Sequence, residues 1–317
     1  MTSTELSVII PMRNFEKEIT GVLLSASSQS CEIDTEFIVV DMGSSDSSVL
    51  ETLKVIKDLH LKGCVVQNGN VTIPEALNTG ITKALGQYLA FFLPERLYSD
   101  FLLGCIETAR STNADFIFAP IEFSEGNLIN TKIKAAEGAE LLIGIIQNKV
   151  LVDIGATVIR RKFVTDNQCR FVEVCKYGFS EEFLMNIILT AGNISKSSAI
   201  AKRNHRHEVK NNQNKHLGMV CFDRVEAMRR VYETIRFEHK DKLYLNDLFL
   251  HQKIPDTLLD CVDILLNEGL GYNAIKGAIK LKKYEKLFQF SSVTDPKLKN
   301  AIRLWKIFPW LYRSRLL

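Results

Sequence analysis

Four short apolar segments recur through the first hundred residues at nearly even spacing: LSVII (6–10), EFIVVD (36–41), CVVQN (64–68) and YLAFFL (88–93). Each is continuous rather than alternating in its apolar character, the pattern of a strand buried on both faces. Between them lie segments of helix length, at 16–29, 47–60 and 73–86. Ser44-Ser45-Asp46 reads as the N-cap of the second, and Pro74 marks the start of the third. Strand and helix alternating at this interval predict βαβ units and a parallel α/β sheet. A fifth strand, DFIFAP (115–120), follows a helix near 98–112.

The middle of the chain is less regular. A helix near 135–147 leads to LVDIGATVIRR (151–161), a loop containing CRFVEVCKYG, and then SEEFLMNIILTAG (180–192). That last segment carries its own punctuation: Ser180 as cap, Glu181 and Glu182 at the positive end of the helix dipole, and Gly192 as the stop. From about residue 217 the pattern is helical to the end, rich in Leu, Lys and Glu. The expected organisation is a strand-bearing domain over 1–210 and a helical region over 211–317.

A net charge of +3 spread over 317 residues gives no basic field for nucleic acid. The seven cysteines form no CxxC or Cys/His cluster, and most sit among apolar residues, so they read as core thiols of a reducing compartment without structural zinc. The start, MTSTELSVII, has no basic n-region, and no apolar run approaches the ~18–20 residues of a membrane span. These features predict a cytoplasmic protein whose membrane contact, if any, is peripheral.

In an open parallel sheet, ligands bind beyond the carboxyl ends of the strands. The first strand there runs into Pro11-Met12-Arg13-Asn14, the second into Asp41-Met42-Gly43-Ser44-Ser45-Asp46, and the fourth into Pro94-Glu95-Arg96; Asn78-Thr79-Gly80 precede the fourth. Each residue also has an ordinary role. Asp41 and Asp46 suit turns and caps, Asn14 a loop bonding its own backbone, Gly43 a turn, and Glu181-Glu182 plain charge at a helix start. No Gly-x-Ser-x-Gly elbow supports a hydrolase triad, and no Gly-rich, Lys-containing loop follows the first strand.

Taken together, SVIIPMRN, EFIVVDMGSSDSS and ALNTGITKALGQYLAFF, in this order and spacing, resemble the N-terminal half of family 2 glycosyltransferases, over roughly residues 6–207. The resemblance implies a GT-A (Rossmann-like) fold, with a mixed, mostly parallel sheet flanked by helices, here followed by the helical C-terminal region. It also implies an inverting transfer from a nucleotide-diphosphate sugar. By the family pattern Pro11, Arg13, Asn14 and Gly43 border the nucleotide, Asp41 accepts from the base (typically uracil), and Asn78 lies near the sugar-diphosphate. SEEFLMNII resembles the family's acidic helix start, which makes Glu182 the catalytic base with Glu181 beside it. AKRNHRHE (201–208) resembles its basic stretch, placing Arg203, Arg206 and His207 at the diphosphate. The chemistry is coherent: an inverting transfer needs one carboxylate to take the acceptor's proton and positive charge to hold the departing diphosphate. Adjacent glutamates repel, which raises one of their pKa values, while the helix N-terminus opposes that rise.

Two positions depart from the pattern. Relatives end the fourth strand in an Asp-x-Asp or Asp-Asp group that binds a divalent cation, whereas here Leu93-Pro94-Glu95-Arg96 offers one acid. Mn²⁺ or Mg²⁺ is the implied cofactor, held by Glu95 and substrate phosphates, unless Arg96 supplies the charge itself. His207 reads as a metal ligand, a phosphate donor or a loop residue. Leu77 stands where many relatives have arginine. The tail KLKNAIRLWKIFPWLYRSRLL (297–317) holds six basic residues and no acid, with Trp305, Phe308, Trp310 and Tyr312 interleaved. It suits either an anionic membrane surface or packing on the enzyme or a partner subunit. The leading expectation is a hexosyltransferase-type enzyme on the inner face of the membrane. It takes a UDP-sugar as donor and a surface glycan or lipid-linked molecule as acceptor, and acts as a homo-oligomer or with a partner glycosyltransferase. The competing expectation is a homologue that keeps the fold and binds an active enzyme without turnover.

Overall fold

The computed structural model describes residues 4–122, 128–129, 137–203 and 217–315. The chain forms two compact units: Met1–Val174 with Phe183–Asn212, and Cys175–Glu182 with Gln213–Leu317. The strands of the first unit are β1 (Leu6–Met12), β2 (Thr35–Asp41), β3 (Gly63–Gln67), β4 (Tyr88–Phe91), β5 (Tyr98–Ser99), β6 (Phe116–Phe118), β7 (Ile121–Glu122), β8 (Leu128–Ile129), β9 (Thr157–Arg160), β10 (Ile194–Lys196) and β11 (Ala201–Arg203). The main sheet has the order β10-β6-β9-β4-β1-β2-β3, and a smaller one has the order β5-β11-β7-β8. In the main sheet β1 pairs in parallel with β2 and β4, β2 with β3, and β10 with β6. Only β9 runs against its neighbours, β4 and β6. The sheet is thus mixed and mostly parallel.

Helices α1 (Ile19–Ser28), α2 (Ser48–Asp58) and α3 (Ile73–Lys83) follow β1, β2 and β3, and α4 (Leu102–Thr112), α5 (Gly138–Ile146), α6 (Arg161–Asp166) and α7 (Phe179–Thr190) come later. The start of α3 is built into the sequence. Thr72 accepts from the Glu75 backbone while the Glu75 carboxylate accepts from the Thr72 backbone, a reciprocal cap, and Pro74 occupies the first turn, where no N–H is needed. Gly80 brings this helix onto β1, since a Cβ there would lie 2.3 Å from the Ile9 side chain. Near the amino ends of β1 and β2 the buried Glu36 carboxylate accepts from the Ser7 hydroxyl at 2.6 Å and from the backbone of Leu85 and Gly86 at 2.6 and 3.1 Å. A buried carboxylate is tolerated when its lone pairs are occupied in this way.

Several expectations are corrected. β1, β2 and β4 are buried along their length, but Gly63, Cys64 and Gln67 of β3 are exposed, because β3 is the edge of the sheet. Cys64 is therefore a surface thiol, Cys31 in the loop after α1 is exposed as well, and all seven cysteines are free. The helix expected from 98 begins at Leu102, since Tyr98 and Ser99 pair with Arg203 and Lys202 as a strand. Ser180 does not cap α7 but lies within its first turn. Asp46, rather than capping α2 directly, accepts from the backbone and hydroxyl of Ser48, the helix's first residue.

The second unit is helical: α8 (Asp223–Glu238), α9 (Leu243–Leu248), α10 (Ile254–Asn267), α11 (Tyr272–Leu281) and α12 (Pro296–Ile307). Phe222, Leu258, Val262, Ile302, Trp305 and Tyr312 are buried in its core. A π turn over Phe249–Lys253 joins α9 to α10 just ahead of Pro255, which has no N–H to continue the ladder. Among the described residues no helix is long and apolar enough to cross a membrane. The aromatic tail divides: Trp305 and Tyr312 are buried, whereas Phe308 and Trp310 are 46% and 56% exposed.

Candidate active site

The carboxyl ends of β1, β2 and β3 lie level, with Asp41 paired to Met12 on one side and Gln67 on the other. The loops beyond them are laced together. Asn14 adopts φ +56, which asparagine tolerates; its N–H donates to the Ser44 hydroxyl at 2.9 Å, and its side-chain oxygen accepts from the Ser45 N–H at 2.9 Å. Gly43 has φ +79, and a Cβ there would come within 3.1–3.2 Å of the Gly69–Asn70 backbone, so glycine alone lets the β2 loop meet the β3 loop. The Asn68 N–H donates to the Asp41 carbonyl at 2.9 Å. The Asp41 carboxylate is nearly buried and accepts the Ser44 N–H at 3.2 Å. Pro11 is buried within β1, and Arg13 is exposed beside Asn14. Behind this loop, burial works to raise the Asp46 carboxyl, but donors from Ser48 and the Glu16 backbone outweigh it and hold the group below its ordinary value.

Past β4, Leu93 and Arg96 bridge a tight turn whose tip is Pro94-Glu95. Arg96 is ion-paired with Asp153, which also accepts from the Gly155 N–H at 2.9 Å. The Arg203 guanidinium donates to the Glu95 carbonyl at 3.4 Å and lies 5.8 Å from the centre of the Tyr98 ring. Burial, and then the nearby Asp153, push the Tyr98 hydroxyl well above its ordinary value, so it stays neutral. A hard cation asks for about six oxygen ligands. Glu95 supplies one carboxylate, and among the described residues no three His, Cys, Asp or Glu side chains gather to hold a metal. The described residues therefore do not fit a cation held by protein alone.

Asn78 serves as a clasp. Its amide donates to the Phe171 carbonyl at 2.9 Å and to the Glu173 carboxylate at 3.1 Å, and accepts from the Phe171 N–H at 2.9 Å. The Phe171 ring held in this way stacks on Phe183 at 3.9 Å and meets Phe91 of β4 edge-on at 5.4 Å. Asn78 also lines an open cleft of about 620 Å³ with Asn68, Thr79, Lys83, Arg170 and Glu173.

The two glutamates at the start of α7 each have a cationic partner, so the repulsion expected between them is offset. Glu182 is 2% exposed, and its two oxygens accept from the Arg230 guanidinium at 2.6 and 2.8 Å. Glu181 is held by Arg224 at 2.6 Å and by Lys253, the last residue of the π turn. Burial works to raise the Glu181 carboxyl, but Lys253 and Arg224 hold it well below its ordinary value. Arg224 continues to Asp260, and Arg315 bridges Asp256, Asp260 and Asp263.

The structure thus brings Asn14, Asp41 and Gly43 together at one edge of the sheet, and Glu95 together with Arg203. Arg206 and His207 lie outside the described residues. Asn68, the first residue beyond β3, was missed although its N–H reaches the end of β2; the same strand-end argument points to it. The partners Asp153, Arg224, Arg230 and Lys253 carry no local signal, because they stand 36–72 residues from some of the groups they pair with.

No curated protein matches the sequence. Among solved structures, S. aureus TarS 1-349 is similar at 20% identity and a TM-score of 0.64, covering 96% of this chain and 87% of that one. The same fragment in complex with UDP-GlcNAc gives 19% identity and 0.63, with the same coverage. A longer S. aureus TarS structure gives 20% and 0.63, with this chain covering 53% of it. These likenesses show the GT-A fold. The sequence profile described as glycosyl transferase family 2 matches residues 7–165, half of the chain. The chain belongs to glycosyl transferase family 2, and is a glycosyltransferase.

Proposed function

We propose that this glycosyltransferase moves a hexose from a UDP-linked donor to a hydroxyl of a surface glycan or lipid-linked acceptor, with inversion. The observation that carries the reading is the lacing of the β1, β2 and β3 ends around the nearly buried Asp41 carboxylate, in a chain of this family. A carboxylate placed there accepts an N–H from a pyrimidine, and its burial makes the loss of that donor costly. Asn14 and Gly43 keep the loops in register, Pro11 and Arg13 border the nucleotide, and Arg203 with Arg206 and His207 supplies charge to the diphosphate. Glu95 and Arg96 form the turn beside it. The TarS fragment bound to UDP-GlcNAc shares this fold and supports a UDP-linked donor.

In the transfer, the acceptor oxygen attacks the anomeric carbon as its proton passes to the Glu182 carboxylate. The bond from that carbon to the diphosphate oxygen breaks, and its electron pair leaves with the nucleoside diphosphate. A single displacement of this kind inverts the centre. Glu182 is assigned as base by the family motif; Arg230 engages one lone pair on each of its oxygens, so the proton goes to a remaining lone pair or displaces one of those bonds. Glu182→Gln keeps the shape of the side chain and removes the base. Loss of sugar transfer at least ~10²-fold is expected, with the product's anomeric configuration read by NMR in the parent enzyme. Full turnover by Glu182→Gln, or a retained configuration, would refute the mechanism.

A further inference from the structure

The C-terminal unit carries a surface that holds none of the residues assigned to the proposed transfer. Residues 272–315 contain eleven basic and two acidic side chains, so the rest of the chain is net −6 although the whole is +3. Among the described residues, only one of those eleven, Arg315, is ion-paired. The apolar side chains beside them are also uncovered. Ile307, Phe308, Trp310 and Leu311 are each 46–59% exposed, and Phe308 and Trp310 meet edge-on at 5.6 Å, forming one projecting aromatic knuckle. Their neighbours in sequence do the opposite: Trp305 and Tyr312 are buried, 5.6 Å apart, and the Tyr312 hydroxyl donates to Asp263 at 2.8 Å. The knuckle is therefore mounted on a fixed base.

Beside it lies a cleft of about 360 Å³ lined by Lys276, Lys280, Lys306, Phe288, Trp305 and one acid, Glu285. The Lys276 ammonium donates to the Lys306 carbonyl and the Lys306 ammonium to the Phe288 carbonyl, each at 3.4 Å, which holds these charges at the cleft. Exposed aromatics next to ammonium groups that have no anionic partner among the described residues suit a layer that is apolar within and anionic at its surface. We infer that Phe308 and Trp310 insert into the interface of an anionic lipid bilayer, with lipid phosphates seated among Lys276, Lys280 and Lys306.

The test uses the full chain with vesicles of phosphatidylcholine alone and of phosphatidylcholine with phosphatidylglycerol at roughly 7:3. Sedimentation should show binding to the anionic vesicles only, reversed by salt at ~0.5 M, where charges are screened within a few ångströms. The chain has two tryptophans and Trp305 is buried, so a blue shift on binding reports Trp310. Phe308→Ser with Trp310→Ser, both exposed positions, should lower the partition coefficient read by sedimentation at least ~10-fold. Lys276→Gln with Lys280→Gln and Lys306→Gln should remove the preference for anionic lipid. No binding to anionic vesicles, equal binding to both vesicle types, or binding unchanged in either variant would overturn the inference. So would a dimer that the serine variant dissociates in the absence of any vesicle binding, which would assign the knuckle to a second copy of this chain. Nucleotide binding is not read in any arm, so this outcome stands apart from that of the proposed transfer reaction.

Discussion

Replacing Arg230 with methionine strands the Glu182 carboxylate where water scarcely reaches. Glu182 is 2% exposed whereas Arg230 is 40% exposed, and the two share bonds of 2.6 and 2.8 Å. The halves of this pair are therefore unequal. Removing the cation leaves a buried charge without compensation, which costs about 3–5 kcal/mol. Glu182→Gln leaves a neutral amide of the same shape and a guanidinium that turns to water, at a cost of about 1–2 kcal/mol. The gap of about 2–3 kcal/mol corresponds to roughly 30- to 150-fold in the unfolding equilibrium. Urea denaturation at neutral pH, followed by far-ultraviolet circular dichroism, measures it. Combining the two substitutions should cost less than Arg230→Met alone, because no buried charge is then left unpaired. Equal costs for the two single variants, or simple additivity in the double, would refute the argument.

Asn78→Ala opens the clasp on the buried Phe171 backbone and should destabilise the protein by about 2–3 kcal/mol in the same urea assay, against a neutral effect if the segment holds itself. Gly43→Ala must adopt φ +79 beside the Gly69 backbone, so a loss of about 1–2 kcal/mol is expected by thermal denaturation. Because Lys253 and Arg224 hold the Glu181 carboxyl below its ordinary value of 4.5, its contribution is fully present above that value and is lost as pH falls further toward the folded-state pKa. Melting temperature followed from neutral pH downward should therefore fall below about pH 4.5, and Glu181→Gln should start lower but show a shallower acid limb. A limb of unchanged slope would show that this carboxylate does not set it.

The strands were legible because runs such as EFIVVD and YLAFFL leave a chain little alternative to double burial, and the strand ends then pointed to Asn14, Asp41 and Gly43. Position within the sheet was not legible. CVVQN reads like the other strands, yet β3 is exposed because no described strand pairs beyond it, a property of strand order rather than of the segment. The acids of SEEF were found by motif, but their environment depends on Arg224, Arg230 and Lys253, brought in from distant helices of the same unit. Arg96 likewise read as a free charge until Asp153 was seen to hold it. The tail had one composition and two fates. Helix phase and the turn at Pro309 bury Trp305 and Tyr312 while leaving Phe308 and Trp310 outside, and composition alone carries no such phase.

In the proposed reaction the laced loops around Asp41 hold the nucleotide of the sugar donor. Isothermal titration calorimetry of the full chain with UDP, with and without Mn²⁺, and of the Asp41→Ala variant, tests it most directly. Saturable UDP binding by the parent protein is expected, with at least ~10-fold weaker binding by the variant, the cost of one hydrogen bond to a charged group. Equal affinity of the parent and the variant, or no binding of UDP, GDP or CDP under either condition, would contradict it.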